Sequence, residues 1–196
     1  MMGYSLTDSA ENCYPGTTVL INKLNIRSQE ALDDVERVLV GLHTIELERE
    51  PPAEPFSFPF YLDLHRKLFG DLYEWAGELR TVDISKKGTV FCVAKNLEEI
   101  GNAIFDELKK MNELRGLRRD KLVKEAAELY HRLNLLHPFR EGNGRTQRLF
   151  FSLLIRRTGF EINFAECDTE LLMIATIYAA QGVMDQLYAF FDQAIR

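Results

Sequence analysis

The sequence is poor in cysteine. Its three thiols, Cys13, Cys92 and Cys167, are odd in number and stand far apart, so that no pair has the spacing of a metal site. This distribution argues against a disulfide-stapled secreted fold and against a cysteine-based zinc site. We expect three reduced thiols in a cytoplasmic protein.

Long apolar runs and an excess of basic charge are also missing. No stretch is long enough to cross a membrane as a helix, and residues 1–9 lack the basic and apolar regions of a secretory signal. The 30 acidic side chains outnumber the 24 Lys and Arg, which gives a net charge of −6. A general nucleic-acid binder would carry a basic face instead. The sequence therefore predicts no membrane contact and no nucleic-acid partner.

The composition suits one folded body. Hydrophobic residues make up 46% of the 196 positions and aromatic residues 11%, which is enough for a globular domain with a substantial core. Residues 1–27 contain the turn signal Tyr14-Pro15-Gly16 and predict an irregular N-terminal arm. Residues 28–196 predict a single domain.

Apolar residues recur at helical spacing along most of that domain. Ser28 is placed to cap the first helix. We expect one apolar face there, formed by Leu32, Val35, Val38, Leu39, Leu42 and Ile45. Further helices are predicted over residues 60–75, 96–113, 118–136, 144–157, 168–180 and 184–195.

Residues 82–94 interrupt the helical pattern. Val82 and Ile84 alternate with polar residues, Lys86-Lys87-Gly88 has the composition of a turn, and apolar residues resume at Val90. This order is typical of a β-hairpin. The predicted fold class is therefore all-α with one β-hairpin.

The segment with the most chemical information is residues 137–148, His-Pro-Phe-Arg-Glu-Gly-Asn-Gly-Arg-Thr-Gln-Arg. Pro138 pushes His137 out of the α-helical region and so ends the preceding helix. Gly142 and Gly144 permit backbone conformations closed to other residues and leave room for a ligand. The helix that follows presents unpaired backbone N–H groups to the loop, which is an anion-binding arrangement.

Four side chains of this segment add the remaining chemistry. Arg145 and Arg148 lie three residues apart, hence on one face of the new helix, and can bind phosphate. Glu141 offers hard oxygen atoms to Mg²⁺, and His137 can accept a proton near neutral pH. One loop thus combines a base, a metal ligand, an anion site and two cations.

These residues closely resemble the Fic-domain signature, His-Pro-Phe-x-(Asp/Glu)-Gly-Asn-Gly-Arg-x-x-Arg, at every fixed position. The resemblance extends to Leu68-Phe69-Gly70 and to residues 73–77 and 80–84, which are similar to the segment before the family's flap. Phe91 falls where the flap hairpin returns. The fold implied is a Fic-type helical bundle with one β-hairpin flap over residues 82–94.

The resemblance implies an enzyme that transfers AMP from magnesium–ATP to a Ser, Thr or Tyr hydroxyl of a target protein. His137 would be the general base, Glu141 the Mg²⁺ ligand and Phe139 the buried anchor of the loop. The nucleotide-binding residues would be Gly142, Asn143, Gly144, Arg145 and Arg148, with the last at the γ-phosphate. The flap would pair with an extended segment of the target through Thr89, Val90 and Phe91.

Gly144 bears on which phosphate reacts. A kinase-like branch of the superfamily, Doc, carries Lys at this position and binds ATP in the opposite sense, so that the γ-phosphate is transferred. The glycine of this sequence favours AMP transfer.

Other interpretations stay open. The loop can be a structural turn between two helices, or the chain can be an inactive descendant that keeps the nucleotide site for regulation or for holding a partner. Intact His137 favours the enzyme. Another donor, such as UTP or GTP, is compatible with the motif, because recognition of the base lies outside it.

Many Fic proteins carry an inhibitory helix of the pattern (Ser/Thr)-x-x-x-Glu-(Gly/Asn), whose Glu pairs with the arginine that corresponds to Arg148. Residues 7–12, Thr-Asp-Ser-Ala-Glu-Asn, match this pattern, but no apolar helical face surrounds them. We interpret the match as chance, with a self-inhibited protein as the alternative. Without an inhibitory helix of its own, the chain resembles toxins of toxin–antitoxin pairs, in which a separate small antitoxin protein supplies the inhibitory helix. Targets in that class include type II topoisomerase subunits.

Overall fold

Seven α-helices and one small antiparallel sheet form the computed structural model, which describes residues 5–6, 12–86 and 88–196. The elements are β1 Ser5–Leu6, α1 Gln29–Arg49, α2 Phe58–Phe69, β2 Ile84–Lys86, β3 Thr89–Val90, α3 Leu97–Lys110, α4 Arg119–Leu136, α5 Asn143–Arg156, α6 Thr169–Ala180 and α7 Asp185–Ala194. Short 3₁₀ turns, Ala94–Asn96 and Asn112–Leu114, flank α3. The predicted fold class is confirmed.

The predicted hairpin is present, and it is shorter than residues 82–94. Ser85 lies opposite Val90, and Lys86 lies opposite Thr89. The chain leaves the ladder soon after Val90, because the Cys92 N–H donates instead to the Leu135 carbonyl of α4 at 2.8 Å. Strand β1 pairs antiparallel with the other side of β2. That strand was not predicted, since two residues carry no readable alternation.

Helix α1 does not place its apolar residues on one face as predicted. Ser28 caps it as expected, accepting the Ala31 N–H. Leu32 is buried, whereas Val38, Leu42 and Ile45 are 61%, 53% and 64% exposed. The periodicity was real, but its apolar arc is wider than the surface that α2 and α5 cover.

Helix α2 ends at Phe69, before the predicted limit near residue 75. The amides of Leu72 and Tyr73 both turn back to the Phe69 carbonyl. The turns that follow end at Gly77, whose φ is +85°. This compact segment buries Tyr73, so its apolar residues belong to a turn and not to a continued helix.

Helix α5 runs through the core and begins at the candidate motif. Its residues Leu149, Phe150, Phe151, Leu153, Leu154 and Ile155 are all buried. Part of the predicted arm packs on the body, where Cys13, Tyr14 and Val19 are buried and the Lys23 N–H donates to the Leu72 carbonyl. Among the described residues, no helix has both the length and the apolar character needed to span a bilayer.

Candidate functional site

The loop between α4 and α5 begins with an unusual backbone conformation. His137 has φ 45° and ψ 60°, which is the left-handed region. The prediction that Pro138 drives this residue out of the α region is confirmed, although the extended region was the ordinary outcome. This backbone conformation is strained for a non-glycine residue, and such strain is often found at functional sites.

His137 is buried, and its two ring nitrogens have different roles. Nδ1 lies 3.1 Å from the Asn134 carbonyl, which only accepts, so Nδ1 carries the proton and Nε2 is the basic nitrogen. Burial lowers the pKa of His137 to about 3, against the opposing effect of the Asn134 bond, and the charges of Lys86 and Arg80 lower it further. The imidazole is therefore neutral at physiological pH, with Nε2 unprotonated.

Two residues connect the flap to His137: Phe91 within the flap, and Arg80 just before it. The Phe91 ring stacks on the imidazole with centroids 3.8 Å apart and planes at 14°. The buried Arg80 guanidinium donates to the His137 carbonyl at 2.8 Å, to the Val82 carbonyl at 2.6 Å and to the Cys92 carbonyl. Arg80 thus ties both ends of the flap to the end of α4. Sequence reasoning placed Arg80 in a resembling segment and gave it no role.

Phe139 of the loop points into the core. It is fully buried and stacks on Tyr61 with centroids 5.6 Å apart. Asn143 closes the loop: its Oδ1 accepts the Phe139 N–H at 2.9 Å, and its Nδ2 donates to the Phe139 carbonyl at 2.8 Å. Both polar atoms of the Asn143 side chain are used by these two hydrogen bonds, and the side chain does not line the cavity. Its contribution to an anion is limited to its backbone N–H.

Gly142 forms the turn into α5 with φ +80°. A Cβ atom at this position would lie 2.5 Å from the Phe69 ring, so only glycine fits. The Gly142 N–H donates at 2.9 Å to the Glu141 carboxylate, which folds back over the helix N-terminus. In this state Glu141 occupies one amide of the predicted anion site.

The two motif arginines differ in their surroundings. Arg145 pairs with the buried Glu36 of α1 at 2.5 Å and with Glu141 at 3.5 Å. The Tyr73 hydroxyl donates to the second Glu36 oxygen at 2.5 Å. Arg148 pairs with no carboxylate of the described residues. Of the two cations, Arg148 is the one whose charge these residues do not neutralise.

Glu36 was missed by sequence reasoning. It lies 109 residues before its partner Arg145, and a single Glu in a helix of mixed charge gives no signal. Only the packing of α1 against α5 reveals its role.

These groups surround one cavity of about 420 Å³, which is within the ordinary size range of small-molecule sites. The motif contributes His137, Glu141, Gly142, Gly144, Arg145 and Arg148. The flap contributes Lys86, Thr89 and Phe91, whereas the Val90 side chain is 78% exposed on the outer side. Helices α4 and α6 add the mainly apolar side chains of Tyr130, Leu172, Met173 and Ile177, together with Thr176. A cavity lined by both cationic and apolar side chains suits a molecule with an anionic part and an apolar part.

The fold and the cavity define a helical domain that places a neutral histidine, two arginines and a helix N-terminus around one cavity. The model of the Fic/DOC family matches residues 55–155, a range that includes both flap and motif, and this chain belongs to that family.

Known relatives share most of the chain. The probable protein adenylyltransferase Fic of Escherichia coli is 34% identical over 182 residues, which are 93% of this chain and 90% of that protein. Protein adenylyltransferase VbhT of Bartonella schoenbuchensis is 36% identical over 175 residues, 89% of this chain and 37% of that protein. The crystal structure of BepC from Bartonella tribocorum, solved with bound AMPPNP, has a TM-score of 0.90 at 26% identity and covers 96% of this chain and 97% of that one.

Proposed function

We propose that this chain is a protein adenylyltransferase that moves AMP from ATP to a hydroxyl group of a target protein. The observation that carries the proposal is the cavity that His137, the N-terminus of α5 and Arg148 share. The names of the relatives support the reaction class, and the ATP analogue in the similar BepC structure supports the donor.

The transfer needs one base and one anion site. The target oxygen attacks the α-phosphorus, the bond from that phosphorus to the bridging oxygen breaks, and pyrophosphate leaves. The proton of the attacking hydroxyl passes to Nε2 of His137, which is the nitrogen left basic by the Asn134 hydrogen bond. The α5 amides and Arg148 stabilise the charge that develops on the phosphates.

Gly144 and the two arginines divide the phosphate contacts. Arg148 takes the γ-phosphate, because its cation is not neutralised by the described residues. Arg145 is paired with Glu36, which neutralises its charge and fixes the orientation of its guanidinium. We therefore assign Arg145 mainly to directed hydrogen bonds with the phosphates. The missing side chain at Gly144 leaves the α-phosphate room beside Arg148.

Magnesium fits this site as a companion of the nucleotide. The described residues contain no group of three or more side chains that could hold a metal. Glu141 lines the cavity with a carboxylate that is 22% exposed. One carboxylate together with substrate phosphates is the usual way in which proteins bind Mg²⁺. The ion would neutralise phosphate charge, and Glu141 would release the Gly142 amide to the nucleotide as it binds the ion.

The flap is the proposed docking site for the target. Thr89 and Phe91 face the cavity, whereas Val90 points to solvent. A strand edge beside the base can align an extended target segment so that its hydroxyl reaches His137. By family analogy alone, a type II topoisomerase subunit is the candidate target.

A small antitoxin protein is the proposed inhibitor. Val38, Leu42 and Ile45, which we call the α1 stripe, form an exposed apolar row at helical spacing, and such rows are common where partner helices dock. The same helix carries Glu36 on its buried side, next to the motif. A helix on the α1 stripe would bring its own Glu to Arg148 and compete with the γ-phosphate.

Intact-protein mass spectrometry tests the reaction. The purified protein is incubated with magnesium and ATP, UTP or GTP in a bacterial lysate, and a mass gain of one adenylyl group on a lysate protein is expected with ATP. His137→Ala should lower the transfer rate by about 10²–10⁴-fold while calorimetry still shows ATP binding. Transfer by the variant at the wild-type rate would show that His137 is not the base. A mass gain on a lysate protein with UTP or GTP, and none with ATP, would show that the donor is a different nucleotide.

A further inference from the structure

The buried His65 of α2 connects the candidate motif to the rest of the molecule. Its Nδ1 accepts the Gly77 N–H at 2.9 Å, and an amide can only donate, so the ring proton is on Nε2. Nε2 then donates to the Glu141 carbonyl at 3.0 Å. Both nitrogens are used, and the two backbone partners fix the tautomer.

The His65 ring is also clamped on its faces. It stacks on Phe139 with centroids 3.8 Å apart at 17°, and on Phe69 with centroids 4.7 Å apart at 28°. The side chain is fully buried. Two hydrogen bonds in the ring plane and two rings outside it leave the imidazole no alternative orientation.

The hydrogen bond from His65 to the Glu141 carbonyl also determines the direction of the next N–H group, that of Gly142. The Glu141–Gly142 peptide is trans, so its C=O and N–H point in opposite directions. The C=O points to His65, and the Gly142 N–H therefore points to the other side, where it meets the Glu141 carboxylate at 2.9 Å. This is the amide that the proposed function assigns to phosphate.

We propose that His65 is a positioning residue that sets the orientation of the Glu141–Gly142 peptide, and through it the Gly142 amide and the Glu141 carboxylate. The inference rests on the proposed function for the identity of the ligand. His65 itself is placed to touch neither nucleotide nor target, because it is fully buried and does not line the cavity.

Two amide variants separate positioning from packing. His65→Asn and His65→Gln both remove the stacked ring. The shorter Asn keeps an acceptor for the Gly77 N–H and loses the donor to Glu141. The longer Gln keeps a donor near the Nε2 position and loses the acceptor. Both variants should show a similar drop in the thermal unfolding temperature.

Calorimetric affinity for magnesium–ATP gives the deciding readout. His65→Asn should weaken binding by about tenfold, the worth of one hydrogen bond of ordinary strength, whereas His65→Gln should stay within about threefold. Equal weakening in both variants, or none in either, would overturn the positioning role. If the wild type binds magnesium–ATP but modifies no protein, the proposed function fails and the comparison still decides on His65.

A measurement on the wild type does not depend on the stability of the variants. The ¹⁵N chemical shifts of His65 should show a neutral ring with the proton on Nε2. A ring protonated on Nδ1 could not accept the Gly77 amide, and that result would overturn the proposal.

Discussion

The Phe91 ring lies flat on the imidazole of His137, with centroids 3.8 Å apart and planes at 14°. One residue of the flap therefore shields the histidine that we propose as the base. The shield keeps water from the ring, and burial is the first cause of the low His137 pKa. In the proposed function, target docking and proton transfer would share this contact.

Phe91→Ala should change the dependence of the rate on pH. Exposure of His137 raises its pKa from about 3 toward the ordinary value of 6.5. The imidazole then becomes protonated, and inactive as a base, at a higher pH than in the wild type. Between pH 7 and pH 5 the variant should lose about tenfold in kcat/KM, and the wild type little. Parallel profiles of the two proteins over this range would contradict the shielding role.

Glu36→Gln should destabilise the protein by removing the nearer, buried carboxylate of Arg145, which then keeps only Glu141 at 3.5 Å. Glu36 is buried and Arg145 is about one-quarter exposed, so we expect about 1–3 kcal/mol, less than for a fully buried pair. Tyr73→Phe removes one hydrogen bond to the same carboxylate and should cost about 1 kcal/mol. Urea unfolding of the three proteins measures both effects. A midpoint for Glu36→Gln equal to that of the wild type would show that the pair contributes nothing.

Gly144→Lys should abolish AMP transfer by filling the cavity. Even a Cβ atom at this position would lie 3.3 Å from Arg148 Nη1, and the longer chain would extend into the phosphate site. Gly41→Lys is the matched control, because a Cβ atom there meets nothing within 4 Å. Labelled ATP gives the transfer rate, and calorimetry gives the affinity. Full transfer and unchanged affinity in Gly144→Lys would show that this glycine does not border the phosphates.

Val90→Pro should reduce target modification more than nucleotide binding. Proline removes a backbone donor from β3 and cannot add to a strand ladder. Val90→Thr changes the same exposed side chain and keeps the donor, so it should behave nearly as the wild type. Mass spectrometry of the modified target and calorimetry with ATP separate the two effects. Undiminished target modification in Val90→Pro would argue against strand pairing at the flap.

The sequence was sufficient for the parts of the site that are adjacent in the chain. Residues 137–148 form one helix–loop–helix unit, so their chemistry could be assigned from their order. Glu36, His65 and Arg80 act on the same loop from 57 to 109 residues away, through partners that only the packed fold brings together. His65 lies in an amphipathic helical pattern that predicts only packing; the spacing could not show that both of its ring nitrogens bind backbone atoms.

The apolar faces show the same limit. Periodicity located α1 correctly, but it could not tell the buried Leu32 from the exposed α1 stripe, since both have the same hydropathy. Which side is covered depends on α2 and α5, which follow later in the chain.

The control of activity can be tested at a position outside the described residues. Glu11 belongs to the match over residues 7–12 to the inhibitory pattern, and of that match the structure describes only Asn12. If a separate antitoxin supplies the inhibitory glutamate, Glu11→Gly should change AMP transfer by less than about twofold, because no ion pair to Arg148 is lost. If the chain inhibits itself, the same change should raise transfer by at least about tenfold, because a carboxylate would leave the γ-phosphate site.

We expect the first result, together with poor growth of bacteria that express the protein alone. The α1 stripe supplies the complementary test. Leu42 is exposed and does not line the cavity, so Leu42→Glu should restore transfer in the presence of an antitoxin while leaving folding intact. A large gain in transfer by Glu11→Gly would overturn the assignment to a separate partner, since it would place the competing carboxylate in this chain.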